Sequence, residues 1–150
     1  MKIKLPFLTS LLLITLTTLG QNDIYKKYTD SLASMNRQLP KCVAKNPTKE
    51  VDCHKEYFHI LKDMEKELYF AIRTILTDDA LKKFENEEVA WEDSSYWYYA
   101  KTFRWFKDKH PSESILRPSD KAKTDALKAL DDNAAYVKKR MAALLGMIKK

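Results

Sequence analysis

Cys42 and Cys53 are the two cysteines of this 150-residue chain, and their spacing predicts a covalent bond between them. They stand on either side of a loop that contains Pro47. Two cysteines this close in sequence pair readily in an oxidising compartment, and closing so short a loop stabilises a fold by about 3 kcal/mol. Since their spacing is not the Cys-x-x-Cys of redox-active thiols, we predict a structural disulfide rather than a redox site.

A polar face around His59 is the next group of residues that could do chemistry. Its members are spaced three or four residues apart on a predicted helix: Glu56, His59, Asp63 and Glu67. Histidine and carboxylates at this spacing can ligate a divalent metal, but the same pattern is typical of a solvated face with ion pairs to lysines. We predict the solvated face, with no metal and no cofactor. A metal carrier or enzyme that uses His59 is the alternative.

Catalytic signatures are missing from the sequence. It contains no catalytic-triad arrangement of serine, histidine and aspartate and no His-Glu-x-x-His motif. Its two glycines are too few for a phosphate-binding loop. His54 lies on the apolar side of its predicted helix, where we expect it to pack. We therefore expect a protein that is not an enzyme.

The densest group of recognition residues is the segment 91–106, WEDSSYWYYAKTFRWF. On a helix its aromatic side chains cannot all face one core, so either the helix is buried on most sides or some of them form a binding surface. Packing in the core and at the edge of a bundle is one interpretation. The other is a protein interface, because aromatic residues beside an arginine are common at the centres of interfaces.

An acidic group precedes the aromatic segment in a protein of net positive charge. It comprises Glu85, Glu87, Glu88, Glu92 and Asp93. Such groups are usually solvated, but an acidic group beside an aromatic one is what a binder of a basic protein would present. The candidate partner-binding residues are Glu88, Trp91, Tyr96, Trp97 and Tyr99.

The first 20 residues, MKIKLPFLTSLLLITLTTLG, have the charge order of a secretory signal peptide. Two lysines precede an apolar stretch, and Thr18 and Gly20 are small residues before a cut at Gln21. The apolar stretch is shorter than the roughly 20 residues that span a bilayer, so we predict cleavage rather than an uncleaved anchor. Residues 21–150 are then expected to form a single domain without an integral membrane segment, periplasmic or secreted.

The net charge of the chain limits which kinds of molecule it is expected to bind. Removing the two leader lysines lowers the formal charge from +6 to about +4. This mild excess attracts anionic surfaces weakly, and nucleic acid is not an expected partner outside the cytoplasm. The partner that we expect is a protein.

Proline positions divide the mature chain into predicted helices. Pro40 and Pro47 bracket one loop, and Pro111 and Pro118 bracket another. Residues 48–110 contain neither proline nor glycine, so long helices can form there. Short loops between long helices place neighbours antiparallel, and no segment alternates with period two. We therefore predict an all-α fold, an up-down bundle of three to four helices.

Cap signals and apolar spacing give the expected boundaries. The first helix should end at Pro40 and the second begin near Asn46. The third should run from Thr77 to about Lys109, and Ser119 should cap the fourth. The apolar face of the third helix is expected at Leu81, Phe84, Trp91, Tyr98 and Trp105. That of the fourth is the most regular: Leu127, Leu130, Ala134, Val137, Met141, Leu144 and Ile148.

Two short motifs carry a resemblance to a known family. In CVAKNPTKEVDCHKEYF, residues 42–58, a cysteine and a threonine precede a second cysteine that opens a helix with spaced aromatic residues. In FENEEVAW, residues 84–91, a Leu-x-x-x-Gln-x-Ala-Trp pattern is matched with Phe84 for the leucine and Glu88 for the glutamine. From residue 42 to about 97 the chain thus resembles the N-terminal domain of the bacterial LprI-type lysozyme inhibitors.

The resemblance implies a small exported helical protein that inhibits lysozyme or another cell-wall hydrolase. Two features depart from that family: Ser95 and Tyr96 stand where an Arg-Asp pair follows the tryptophan, and the later cysteines are missing. Two other functions are open. One is a structural envelope protein that self-associates through its aromatic helix, and the other is an immunity protein against an exported toxin.

Overall fold

A computed structural model describes the backbone of residues 7–149 and the side chains of residues 20–149. Within this range the chain forms four α-helices and one 3-10 turn. They are α1 (Phe7–Lys45), the 3-10 turn (Pro47–Lys49), α2 (Glu50–Arg73), α3 (Asp78–Lys109) and α4 (Asp120–Ile148). No strand forms in this part of the chain, so the predicted all-α bundle is confirmed.

The predicted signal peptide, residues 1–20, lies mostly outside the residues whose side chains are described. Its cleavage therefore stays a prediction. Among the described helices, none has a stretch that is both long and apolar enough to cross a membrane.

The helices run alternately up and down. The closest approaches are those of α2 with α4, α1 with α2, and α3 with α4, so α4 lies inside the bundle. α2 and α3 meet through two aromatic contacts and through an ion pair in which Arg73 Nη2 donates to Glu85 Oε1 over 2.5 Å. Tyr69 stacks on Phe84 with ring centroids 4.9 Å apart, and Phe58 meets Tyr99 edge-on at 5.3 Å. Because the earlier residue of α2 meets the later residue of α3, these two helices are antiparallel.

α4 supplies much of the core, as its regular apolar spacing predicts. Its buried apolar residues are Ala122, Ala126, Ala129, Leu130, Ala134, Val137, Met141, Leu144, Leu145 and Ile148. The larger ones pack against buried residues of α1 and α2, such as Tyr28, Leu61 and Leu68. Ala122, Ala126 and Ala129 pack against Phe106 at the end of α3 and Ile115 in the following loop.

The disulfide between Cys42 and Cys53 is confirmed, and it joins α1 to α2 with Cα atoms 5.9 Å apart. The prediction that α1 ends at Pro40 is wrong, because the helix continues through this proline to Lys45. Pro40 is exposed, so the peptide N–H that it lacks removes one solvent-side hydrogen bond. The turn beyond it is held by the disulfide and by Asn46, whose N–H donates to the Cys42 carbonyl over 2.9 Å.

The predicted starts of α3 and α4 are confirmed. α3 begins at Asp78 and ends at Lys109, and α4 begins at Asp120. Thr77 and Ser119 occupy the cap positions in extended conformation, but neither side chain makes a capping hydrogen bond. The extended backbone and the acidic first turns are therefore what mark these starts.

Candidate protein-binding surface and adjacent cleft

The buried face of α3 is polar along most of its length. Glu88, Ser95 and Thr102 are buried at intervals of seven residues, so they lie on one line along the helix. The two hydroxyl groups make hydrogen bonds within the helix. Ser95 Oγ donates to the carbonyl of Glu92, and Thr102 Oγ1 donates to the carbonyl of Tyr98. Glu88 cannot do so and needs a partner from another helix.

The exposed side of α3 carries a line of apolar residues among its charged ones. Val89, Tyr96 and Phe103 follow the buried polar residues by one position, and all three are exposed. With Trp97 they make up what we call the α3 outer surface. Tyr96 and Trp97 are each 67% exposed, and their rings touch edge to face with centroids 5.5 Å apart. Contiguous exposed aromatic surface of this kind is typical of a binding site.

The other aromatic residues of the segment pack at the edges of α3. Tyr98 stacks on Tyr136 of α4 with centroids 4.1 Å apart, and Trp91 lies parallel to the same ring at 6.5 Å. Tyr99 faces α2 through its contact with Phe58. The segment is therefore packed against the bundle on one side of the helix and exposed on another.

The five candidate partner-binding residues differ in exposure. From most to least exposed they are Tyr96 and Trp97, then the half-buried Trp91 and Tyr99, then the buried Glu88. The expectation that Glu88 belongs to an exposed acidic group is wrong, since its side chain turns inward to a cation on α4. Glu92 and Asp93 are the exposed acids that remain beside the aromatic residues.

Arg140 of α4 is that cation, and it connects two buried carboxylates from different helices. Its Nη2 donates to Oε2 of Glu88 over 2.6 Å, and its Nε lies 3.7 Å from Oε1 of Glu65 on α2. The guanidinium carbon also lies 5.5 Å from the centre of the Trp91 ring, within range of cation–π attraction. All three charged side chains are almost excluded from water, so both carboxylates depend on this guanidinium.

Burial raises the pKa of Glu65 to about 7. Loss of hydration is the main cause, and the negative charges of Glu88 and Glu92 add to it, while Arg140 acts in the opposite direction. Burial likewise raises the pKa of Tyr99, and the charge of Glu65 adds to that shift. Among the described residues, Glu65 Oε1, Arg140 Nε and the Tyr99 hydroxyl have no hydrogen-bond partner. Three of the six such atoms in the described residues therefore lie close to one place.

That place is the inner wall of a cleft of about 450 Å³ between α2 and α3. Its lining comprises Lys62, Asp63, Glu65, Lys66, Glu88, Trp91, Glu92, Ser95, Tyr96 and Tyr99. Tyr96 belongs both to this lining and to the α3 outer surface, so the cleft and the surface are continuous. The cleft lies between the two aromatic contacts that join α2 to α3.

Glu65 and Arg140 were not identified from the sequence, although a signal was present. Glu65 stands between Leu61 and Leu68 on the apolar face of α2, and Arg140 follows Val137 by three residues on the apolar face of α4. A lone acid and a lone base at core positions of two helices indicate a buried ion pair.

The histidines make contacts between helices or face solvent. His54 Nδ1 lies 2.6 Å from Asp131 Oδ1, which links α2 to α4 at the partly buried position that the sequence predicts. His110 Nε2 lies 2.8 Å from Asp125 Oδ2. His59 is exposed, and no group of side chains suited to hold a metal ion is found in the described part of the chain.

Compared with protein-family models, curated proteins and solved structures, the chain matches none. The resemblance to LprI-type inhibitors therefore rests on the motifs at 42–58 and 84–91, and it stays a prediction. The first motif spans the disulfide and the first turns of α2, and the second lies in α3.

Proposed function

We propose that this protein is an exported binding protein without enzymatic activity, which holds a basic protein through the α3 outer surface. The partner class that we propose is a cell-wall hydrolase such as a lysozyme. One observation carries the proposal: Tyr96 and Trp97 are 67% exposed on a helix whose buried line is polar. Aromatic residues at these outer positions do not contribute to the core, so contact with another molecule explains them better than folding does.

The α3 outer surface has enough apolar area to anchor a partner. A large aromatic side chain can bury about 150–250 Å². At about 25 cal/mol per Å², the exposed parts of Tyr96 and Trp97 would each contribute roughly 3 kcal/mol before the entropy cost of association. Val89 and Phe103 extend the same surface along the helix axis. This is the composition of an interface centre.

The charges around the surface favour a basic partner at short range only. Glu92 and Asp93 are exposed next to the aromatic residues. The whole chain carries a formal charge of +6, which opposes long-range attraction of a basic protein. We therefore expect the association rate to be ordinary and the selectivity to come from contacts made after encounter.

Two further observations support export. The Cys42–Cys53 disulfide is consistent with an oxidising compartment. The leader at residues 1–20 has the composition of a secretory signal peptide. Together with the resemblance to LprI-type inhibitors, they favour a periplasmic or secreted partner.

A lysis assay tests the proposal. Purified protein in micromolar excess is added to basic lysozymes and to other cell-wall hydrolases. The lysis of a cell-wall suspension is then followed by turbidity. We expect inhibition that Trp97→Ala weakens by about tenfold or more, because this tryptophan is the largest exposed side chain of the surface. Phe70→Ala is the matched control, since Phe70 is an exposed aromatic residue on α2 outside the surface.

Full hydrolase activity at micromolar excess, with no complex seen by pull-down, would contradict the proposal. Self-association through the same surface is the second candidate, and a specific observation favours it. Val89, Tyr96 and Phe103 repeat every seven residues, which is the spacing of a helix-pairing seam. Light scattering distinguishes the two: a concentration-dependent dimer that Trp97→Ala dissociates indicates self-association, whereas a monomer favours the hydrolase partner.

A further inference from the structure

The inner wall of the cleft contains an acid with an unused oxygen. Glu65 is 3% exposed, and its Oε1 has no hydrogen-bond partner within the described residues. The nearest cation, Arg140, presents its Nε to this oxygen at 3.7 Å, beyond hydrogen-bond range, and gives its short contact to Glu88 instead. A buried carboxylate oxygen without a donor is energetically unfavourable, so Glu65 is poised to accept one.

The charges of the cleft do not balance. The acids of its lining are Asp63, Glu65, Glu88 and Glu92. The cations of the lining are Lys62 and Lys66. Arg140 of α4 adds a third, because it pairs with Glu88 of the lining. When all are ionised, the acids exceed the cations by one charge. The buried carboxylate that lacks a close cation is that of Glu65, because Arg140 makes its short contact with Glu88. One additional cation would neutralise the cleft.

The aromatic walls suit an organic cation. Trp91, Tyr96 and Tyr99 line the same cleft. The Tyr99 ring already attracts an ammonium group, because Lys62 Nζ lies 5.6 Å from its centre. Lys62 is exposed and extends from the rim, so another cation can take its place without moving a helix.

We propose that the cleft receives one basic side chain, arginine or lysine, of the protein partner. Its guanidinium or ammonium group lies against the Tyr99 ring in place of Lys62. It compensates the negative charge of Glu65 by donating a hydrogen bond to the carboxylate, whose Oε1 is buried and turns toward the cleft when the cation enters. The cleft volume of about 450 Å³ admits such a side chain with its attached backbone at the mouth. This inference rests on the proposed function, since it assigns the α3 outer surface and the cleft beside it to one and the same partner.

Direct titration with small probes tests the cleft without any hydrolase. The probes are N-acetyl-arginine amide, N-acetyl-lysine amide and, as the neutral isostere of arginine, N-acetyl-citrulline amide. Their binding is measured by NMR at pH 8, where the Glu65 carboxyl is ionised. We expect shifts in residues of the cleft and an affinity for the arginine probe about tenfold above that for citrulline. Putrescine, a free diamine, is titrated alongside.

Two variants and a control sharpen the test. Glu65→Gln should weaken binding of the arginine probe about tenfold, and Lys62→Gln should strengthen it severalfold because the internal competitor is removed. Glu67→Gln is the matched control, since it removes an exposed acid from the same helix outside the cleft. It should leave the affinity within about twofold.

Equal binding of the arginine and citrulline probes would overturn the inference, as would unchanged binding by both Glu65→Gln and Lys62→Gln. Putrescine binding more tightly than either capped amino acid would overturn it too, by reassigning the cleft to a free small cation. The outcomes separate this inference from the proposed function. If the wild type and Glu65→Gln inhibit a hydrolase equally, the proposed function holds but the cleft does not contribute to it. If the probes bind but no hydrolase is inhibited, the cleft binds basic side chains but the proposed partner class is wrong.

Discussion

α3 and α4 lie side by side, but they use their faces in opposite ways. Among the buried residues of α4, Asn133 is the polar one, and the rest are aliphatic. Three of the five buried side chains of α3 are polar, namely Glu88, Ser95 and Thr102. Its outer positions hold exposed aromatic residues instead. The pattern of α4 is explained by folding alone, and that of α3 is not.

The difference separates two roles within one bundle. α4 gains its stability from apolar burial against α1 and α2. α3 is held through the buried Phe84 and Phe106 near its two ends, through aromatic contacts between them, and through the ion pair of Glu88 with Arg140. Its outer side is thereby left free to carry Tyr96 and Trp97. α3 therefore contributes less apolar side-chain burial than α4, and it carries exposed aromatic residues that the core does not use.

The largest expected effect comes from removing the cation that attaches α3 to α4. Arg140→Met leaves Glu65 and Glu88 buried without a counter-charge, and should lower the free energy of unfolding by about 3–5 kcal/mol at pH 8. Urea denaturation followed by circular dichroism measures it. At pH 5 the loss should shrink, because the freed carboxyls take up protons. A loss below about 1 kcal/mol at pH 8 would show that this cation does not hold α3 in place.

A truncated core residue of α4 tests the other half of the comparison, namely that α4 is stabilised by apolar burial. Leu144→Ala removes a fully buried side chain and should lower the free energy of unfolding by about 3 kcal/mol at any pH between 5 and 8. Met147→Ala, at an exposed position of the same helix, is the control and should change it by less than about 0.5 kcal/mol. Equal losses from both variants would refute the assignment of the core face of α4.

Glu65 should make the stability depend on pH in a direction opposite to that of a surface carboxylate. Its pKa rises from 4.5 to about 7 on folding, so between these values the folded chain binds more protons than the unfolded one. The free energy of unfolding should therefore fall as the pH rises from 4.5 to 7. Glu88 and Glu92 add to this penalty, and Arg140 reduces it.

Glu65→Gln removes that penalty. The variant should be about 2 kcal/mol more stable than the wild type at pH 8 and about equal to it at pH 4.5. Urea titrations at the two pH values measure the difference. A variant that is less stable than the wild type at pH 8 would mean that the contact of Glu65 with Arg140 outweighs its burial.

The smallest expected effect on stability is at the outer side of α3. Tyr96→Ser combined with Phe103→Ser should change the free energy of unfolding by no more than about 0.5–1 kcal/mol, since Tyr96 is 67% and Phe103 49% exposed. Solubility should improve as exposed apolar area falls. Thermal unfolding and light scattering measure the two quantities. A large loss of stability would place these rings in the core and remove their role in recognition.

Local signals in the sequence were sufficient for most of the fold. Thr77 and Ser119 mark the starts of α3 and α4, and the apolar spacing of α4 predicts the burial of Val137, Met141 and Leu144. Pro40 predicts a helix end only from its local cost to the backbone, and α1 continues through it. The disulfide beyond it is a tertiary contact, and it holds the last turns of α1 in place.

The candidate site was predictable only in part. The aromatic segment identified Tyr96 and Trp97, but helical periodicity does not say which of several aromatic lines faces the bundle. The pair of Glu88 with Arg140 joins α3 to α4, and Glu65 reaches the same guanidinium from α2. Such a cluster depends on which helices are neighbours, and a single sequence does not contain that information.

The unequal exposure of the three tryptophans gives the protein a natural optical reporter. Trp97 is mostly in water, whereas Trp91 lies against Tyr136 and Arg140, and Trp105 has Lys109 Nζ 4.5 Å from its ring centre. Emission at long wavelengths therefore comes chiefly from Trp97. A partner that covers the α3 outer surface would shift this emission to the blue, so binding can be followed by fluorescence without a label.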